Sequence, residues 1–205
     1  MIRWIAGVLV VGLLLLGFVT WKRSVEPARS SDAGVPVAST PATSTPPEAP
    51  SDPEALAATS GITWTVPAGW RDGGARAMRL ATYVVGGPDP HPVAECAVFH
   101  FGAGQGGGVD ENIDRWVGQF EGTPGSSRRA LSVHGMNVTR VEIAGTFLAP
   151  GADMQSQARL GAWKLLGAIV EGPQGSVFFK FTGPAGVIDG AAHDFDALLA
   201  SLEKR

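Results

Sequence analysis

The chain has 205 residues, with 16 lysines and arginines against 19 aspartates and glutamates, for a formal net charge of −3. That length suits one folded domain with appendages, and the mild acidity supplies no basic face of the kind nucleic acid requires. A single cysteine, Cys96, excludes an intramolecular disulfide and any metal cage built from cysteines.

The amino end carries the strongest signal. Residues 4–21, WIAGVLVVGLLLLGFVTW, contain no charge and no proline. As a helix they span roughly 27 Å, close to the thickness of a bilayer's hydrocarbon core. Trp4 and Trp21 stand at the two ends, where indoles favour the membrane interface. A cleaved signal peptide has a shorter apolar core and a small-x-small site close behind it; here Trp21, Lys22 and Arg23 follow instead. No cysteine follows the run, so a lipoprotein anchor is excluded. The expectation is an uncleaved transmembrane anchor over residues 1–23, partnering a bacterial inner membrane through residues 4–21.

Residues 24–60, rich in Pro, Ala, Ser and Thr and free of aromatics, cannot bury enough apolar area to offset their ordering entropy. They read as an extended linker that holds a folded head, residues 61–205, away from the membrane. Arg3 and the α-amino group compete with Lys22, Arg23 and Arg29, so the flanking charges do not favour an external carboxyl end. The spacer does, and it places the head on the periplasmic or extracytoplasmic side.

From Ile62 the texture changes. ITWTV alternates with period two, PAGW makes a turn, and AMRLATYVV and VAECAVFHF are further strands divided by GGPDPHP. Cys96 alternates with Ala94, Val98 and His100 along one strand face, where a thiol behaves as a small buried hydrophobe. A glycine-rich loop and a helix follow, then MNVTRVEIAGTF as a strand or bent pair of strands. AWKLLGAIVEGPQGSVFFKFTG reads as a hairpin turning at Gly172-Pro173-Gln174-Gly175. Its first arm is apolar on both faces, with Trp163, Leu165 and Ile169 opposite Leu166 and Val170, so it belongs inside a sheet covered by helices. A last helix starts near Pro184, and Val187, Ile188, Ala191, Phe195, Leu198, Leu199 and Leu202 form its buried stripe. Asp189, Asp194 and Asp196 lie off that stripe and read as solvated acids. The fold class expected is α+β: an α/β/α sandwich with a central, mainly antiparallel sheet flanked by helices.

Several stretches occur together in a group of bacterial membrane-anchored envelope proteins. They are Trp64 with VPAGW, Met78-Arg79, GGGVDENIDRWVGQF, and VFFKFTGP before a terminal helix. Over about residues 60–203 the chain resembles the PsbP-like α/β/α fold group, which includes the extrinsic photosystem II subunit and a cofactor of a nuclear-transport GTPase. The resemblance implies a domain that acts by binding partners, with no shared catalytic residues.

GAGQGGGVDENIDRW, residues 102–116, holds Gly102-x-Gly104-x-x-Gly107 ahead of a helix. A dinucleotide turn needs that spacing and a helix start open to pyrophosphate. Asp110, Glu111 and Asp114 occupy the first turns instead, where they complement the helix dipole and repel phosphate. No Gly-Lys-Ser/Thr follows, so the loop reads as flexible and no cofactor is expected. On the helix, Val109, Ile113, Trp116, Val117 and Phe120 share the buried arc. Asn112, Arg115 and Gln119 stand on its border as binding or structural residues, within an Asn-x-x-Arg-Trp-x-x-Gln pattern found in the proteins it resembles. Glu111 precedes Arg115 by four residues, the favourable order for an ion pair.

Other chemistry is thin. His91, His100, His134 and His193 show no metal spacing, and no Gly-x-Ser-x-Gly elbow exists. Arg128 and Arg129 read as a small basic loop; the Asn137-Val138-Thr139 acceptor motif falls in an expected strand. The chain is therefore expected to be non-enzymatic, without catalytic or metal-binding residues, and to bind a protein partner in the envelope. The alternatives are a small-ligand or metal-binding domain that uses the glycine loop and adjacent helix, and a hydrolase whose residues meet only in space.

Overall fold

The hairpin expected to be apolar on both sides is the middle of the structure. In the computed structural model, which describes residues 53–87, 93–150 and 157–205, it is formed by β7 (Gln157–Gly172) and β8 (Gly175–Pro184). Five further strands complete an antiparallel sheet: β2 (Arg71–Asp72), β3 (Ala81–Gly86), β4 (Val93–His100), β5 (Gly125–Val133) and β6 (Met136–Pro150). The spatial order is β2-β3-β4-β8-β7-β6-β5, which puts β8 at the centre. The expected anchor and most of the expected spacer fall outside the described residues. Among the described residues, no helix is long and apolar enough to cross a membrane.

Period-two alternation assigns the two faces of the sheet. One face carries Cys96, Val98, Leu166, Ala168, Val170, Val177, Phe179 and Phe181. The helices α1 (Pro53–Ser60), α3 (Ala185–Gly190) and α4 (Ala192–Ala200) cover it through Leu56, Ile188, Phe195, Leu198 and Leu199. The other face carries Val141, Ile143, Leu165, Ile169 and Phe178 and is covered by Trp116 of α2 (Val109–Val117) and by Phe120. Leu165 and Ile169 thus fall opposite Leu166 and Val170, as the alternation requires. Two short strands, β1 (Ile62–Thr63) and β9 (Glu203–Lys204), pair separately and tie the domain's ends together.

The structure departs from the sequence reading in four places. The spacer was expected to be extended as far as residue 60, but Pro53–Ser60 is helical, and Leu56 and Ala57 are buried. Leucine and alanine favour a helix, and Gly61, at φ +70°, ends it by donating its N–H to the Ala57 carbonyl at 2.7 Å. The terminal helix is two helices, with the break at Ala191. Arg128 and Arg129 lie on β5 rather than in a loop. They pair with Asp110 at 2.6 Å and Asp196 at 3.1 Å. Asp196 and Asp189 are likewise more than solvation. Asp196 meets the buried Arg140 at 2.6 Å, and Asp189 meets Lys164 at 2.5 Å.

Cys96 is fully buried, and burial, then the charge of Glu95, pushes its thiol above the ordinary range. The thiol of the folded protein should therefore react with a thiol reagent far more slowly than that of the denatured chain. Equal rates would contradict this placement.

One close approach holds α2 to the sheet. A Cβ built on Gly167 of β7 would lie 2.3 Å from the Trp116 ring. The indole can lie on the strand only because residue 167 has no side chain. We expect Trp116→Ala to destabilise by about 3–5 kcal/mol and Gly167→Ala by about 1–3 kcal/mol through overpacking. In denaturant melts the double variant should lose less than the sum, by about 0.5–3 kcal/mol, because the two residues share one contact. Strict additivity would contradict it.

Candidate functional site

The glycine loop is held from within. Asn112 is 4% exposed, and its side-chain amide donates to the Gly106 and Gly108 carbonyls, each at 2.9 Å. Arg115 donates through Nη1 to Asn112 Oδ1 at 3.1 Å. Both ends of the amide are thereby satisfied, which a buried amide requires. Glu111 does not pair with Arg115 as the i, i+4 spacing suggests. Its carboxylate accepts the Gly108 N–H at 2.9 Å, half of a capping box. A carboxylate of the chain thus occupies the helix start that a phosphate would need.

Beside this loop lies a shallow depression of about 430 Å³ lined by Phe101, Gln105, Gly106 and Arg115. Phe101 is 41% exposed, and its ring stacks on Phe99 at 6.2 Å and 13°. The Arg115 side chain is exposed beside it.

Of the three border residues of α2, the structure joins Asn112 and Arg115 and separates Gln119. Gln119 lies past the helix end and accepts a hydrogen bond from Lys180 Nζ at 2.6 Å. The hairpin of β6 and β7 keeps it there: beyond a bulge at Gly145 and Phe147, its outer part accepts and donates backbone hydrogen bonds at residues 119 and 121.

Lys180 is the residue that sequence reasoning missed. Its registry partners are Ala97 on one side and Gly167 on the other, two residues too small to crowd it. Nζ lies 5.7 Å from the Phe147 ring centroid. Burial and then the charge of Arg79 lower its pKa to about 8, against a smaller opposing effect of Glu95. Arg79 and Glu95 form an ion pair at 2.6 Å, and the guanidinium lies 5.9 Å from the Phe99 ring centroid. Thr182, opposite Glu95, has a buried hydroxyl without a partner among the described residues. The available signal was a lone lysine between phenylalanines in VFFKFTG, on the strand face opposite Phe179 and Phe181.

Two of the described histidines meet backbone carbonyls. His100 Nε2 contacts the Gln174 carbonyl at 3.0 Å, and His134 Nδ1 contacts the Leu202 carbonyl at 2.6 Å. His91 lies outside the described residues. Among the described residues, no three His, Cys, Asp or Glu side chains are grouped to hold a metal.

The architecture is thus α+β, a largely antiparallel sheet with helices on two faces. No family model and no curated protein matches the chain. Among solved structures, it is similar to the solution structure of cyanobacterial PsbP (CyanoP) from Synechocystis sp. PCC 6803. The identity is 12% and the TM-score 0.43, over 71% of this chain and 87% of that one. It is also similar to a crystal structure from Bacteroides thetaiotaomicron VPI-5482, at 13% identity and a TM-score of 0.32. That match covers 75% of this chain and 47% of the other, so this chain spans about half its length. Neither likeness bears on ligand, partner or activity.

Lys180 gives the domain a definite alkaline signature. The unfolded chain keeps this proton to about pH 10.5, whereas the folded protein releases it near pH 8. Between those values the unfolded state binds more protons, so this residue makes stability rise with pH. Cys96 and Tyr83 act in the opposite sense, because folding holds their protons to higher pH. Comparing the protein with Lys180→Met removes those shared contributions. Relative to the variant, the unsubstituted protein should gain on the order of 3 kcal/mol from pH 8 to 10.5. A pH-independent difference in denaturant melts would overturn the assignment.

Proposed function

We propose that the chain is a non-enzymatic, membrane-tethered protein of the bacterial cell envelope whose globular domain, of the PsbP-like fold group, binds a protein partner. The exposed Phe101 beside Arg115 carries this reading. Aromatic rings and arginines are enriched at the centres of protein interfaces, where a few such residues supply most of the affinity. A shallow depression suits a flat partner better than it suits a small molecule. The contacts of Glu111 and Asn112 support the same choice, since they already occupy the Gly108 N–H and two loop carbonyls. The tether rests on the uncharged run 4–21 and the proline-rich stretch behind it. An envelope location rests on that run and on the quoted motifs.

A photo-crosslinker placed at Gln105 of the full-length protein in intact cells should capture a discrete envelope protein. Phe101→Ala should reduce capture about fivefold or more, the consequence of losing over 1 kcal/mol at an interface anchor. Melting of the variant should be nearly unchanged. Undiminished capture by the folded variant would refute this surface as the contact. Protease added to spheroplasts should release the head by cutting within residues 24–52, and full protection of the head would reverse the orientation.

A further inference from the structure

A second cavity, of about 220 Å³, lies at the start of β3, between that strand, α1 and the segment after β1. Leu56, Trp64, Leu80 and Tyr83 line its inner part, and Arg76 and Arg79 lie towards the loop that leads into β3. An apolar cavity of roughly 150 Å³ holds a benzene molecule, so this one has room for a ring with a short substituent.

Its polar groups are few and placed differently from one another. Tyr83 Oη accepts a hydrogen bond from Trp64 Nε1 at 3.0 Å. Among the described residues, its own O–H proton has no acceptor. Burial raises the phenol to about pKa 12, so it stays a donor. Arg79 is neutralised by Glu95 at 2.6 Å. The Asp72 carboxylate, also in the wall, accepts the Gly74 N–H at 2.8 Å. Arg76 is exposed and has no ion-pair partner among the described residues.

We propose that this cavity binds a small amphipathic carboxylate. The apolar body sits between Leu56, Trp64 and Leu80, and the carboxylate meets Arg76 at the rim. The Tyr83 hydroxyl donates to a further oxygen where the ligand carries one. The size comes from the cavity volume, the apolar body from its walls, and the charge from the Arg76 guanidinium, which makes no ion pair with a described residue, whereas the Asp72 carboxylate in the same wall is already engaged by the Gly74 N–H. Monocyclic aromatic or short aliphatic acids match that volume.

The test is calorimetric titration of the full-length protein with phenylacetate and, separately, with benzyl alcohol, a neutral molecule of similar size. Phenylacetate should bind at least tenfold more tightly than the alcohol. Arg76→Ala lies on an exposed loop and should bring the acid down to the level of the alcohol while leaving alcohol binding unchanged. Ala81→Leu, which fills the cavity from β3, should abolish binding of both. Its fold is checked by comparing thermal melts. Equal binding of acid and alcohol by the unsubstituted protein would overturn the proposal. So would undiminished acid binding by Arg76→Ala, by a folded Ala81→Leu protein, or no binding of either probe.

Discussion

One face of the central sheet is kept dry by a nine-residue helix, α2, and that helix depends on the contact between Trp116 and Gly167. A helix this short is marginal alone, because nucleation costs more than so few hydrogen bonds return. Its stability must come from packing. Trp116 supplies most of it, since an indole buries more apolar area than any other side chain on the helix. The missing side chain at residue 167 sets how near α2 can approach. Phe120 then packs edge-on against Phe147 at 5.3 Å, and Phe147 stacks on Trp163 at 5.3 Å. The glycine loop enters this helix and Gln119 leaves it, so both are placed by the same anchor. Had Gly167 carried a methyl group, the depression beside Arg115 and the reach of Gln119 to Lys180 would both shift.

The parts of the fold that were legible in the sequence are those with a strong period. The alternation of Trp163, Leu165 and Ile169 against Leu166 and Val170 predicted an interior strand, and β7 lies between β8 and β6 with both faces buried. The arc of Val109, Ile113, Trp116, Val117 and Phe120 predicted the sheet-facing side of α2, and those side chains cluster on one face of the sheet. What was illegible had no local signal. Leu56 is the one leucine in a proline-rich stretch, and only tertiary packing makes α1 part of the domain. The ion pairs of Asp196 with Arg140 and Arg129 join residues 56 and 67 positions apart. No helical spacing announces such a pair.

The same distinction divides the candidate site. Asn112 and Arg115 share a helix face three residues apart, so their contact follows from helical geometry. Glu111 shows the limit of that rule: the i, i+4 partner was available, yet the unsatisfied Gly108 N–H at the helix start took the carboxylate. Gln119 was grouped with Asn112 and Arg115 by sequence spacing. The helix ends at Val117, before the period reaches Gln119, and the backbone then carries it towards β8. Lys180 was hidden by its neighbours, since a strand dominated by phenylalanines reads as core. Its amine is where a buried sheet face meets Gln119 and the Arg79–Glu95 pair, a position visible only after β4 and β8 are paired.

The rim of the second cavity shows why one arginine, and not its neighbour, can answer a bound anion. Diverting Arg79 to a ligand would leave Glu95 without its counter-charge on a partly covered sheet face, a penalty that offsets what the ligand gains. Arg76 carries no such obligation towards the described residues. The loop that presents it is fixed at both ends by Gly73 N–H donating to the Thr82 carbonyl and Leu80 N–H donating to the Val98 carbonyl, each at 2.8 Å. Between them Met78, a residue 79% exposed, is held at φ 64°, a left-handed conformation that is uncommon for a side chain of this size. Strain of this kind, on the order of 1 kcal/mol, persists only where surrounding structure outweighs it. Here the outweighing structure is the pair of backbone hydrogen bonds at the ends of the loop. They hold Arg76 over the cavity without using any side chain that the cavity itself needs.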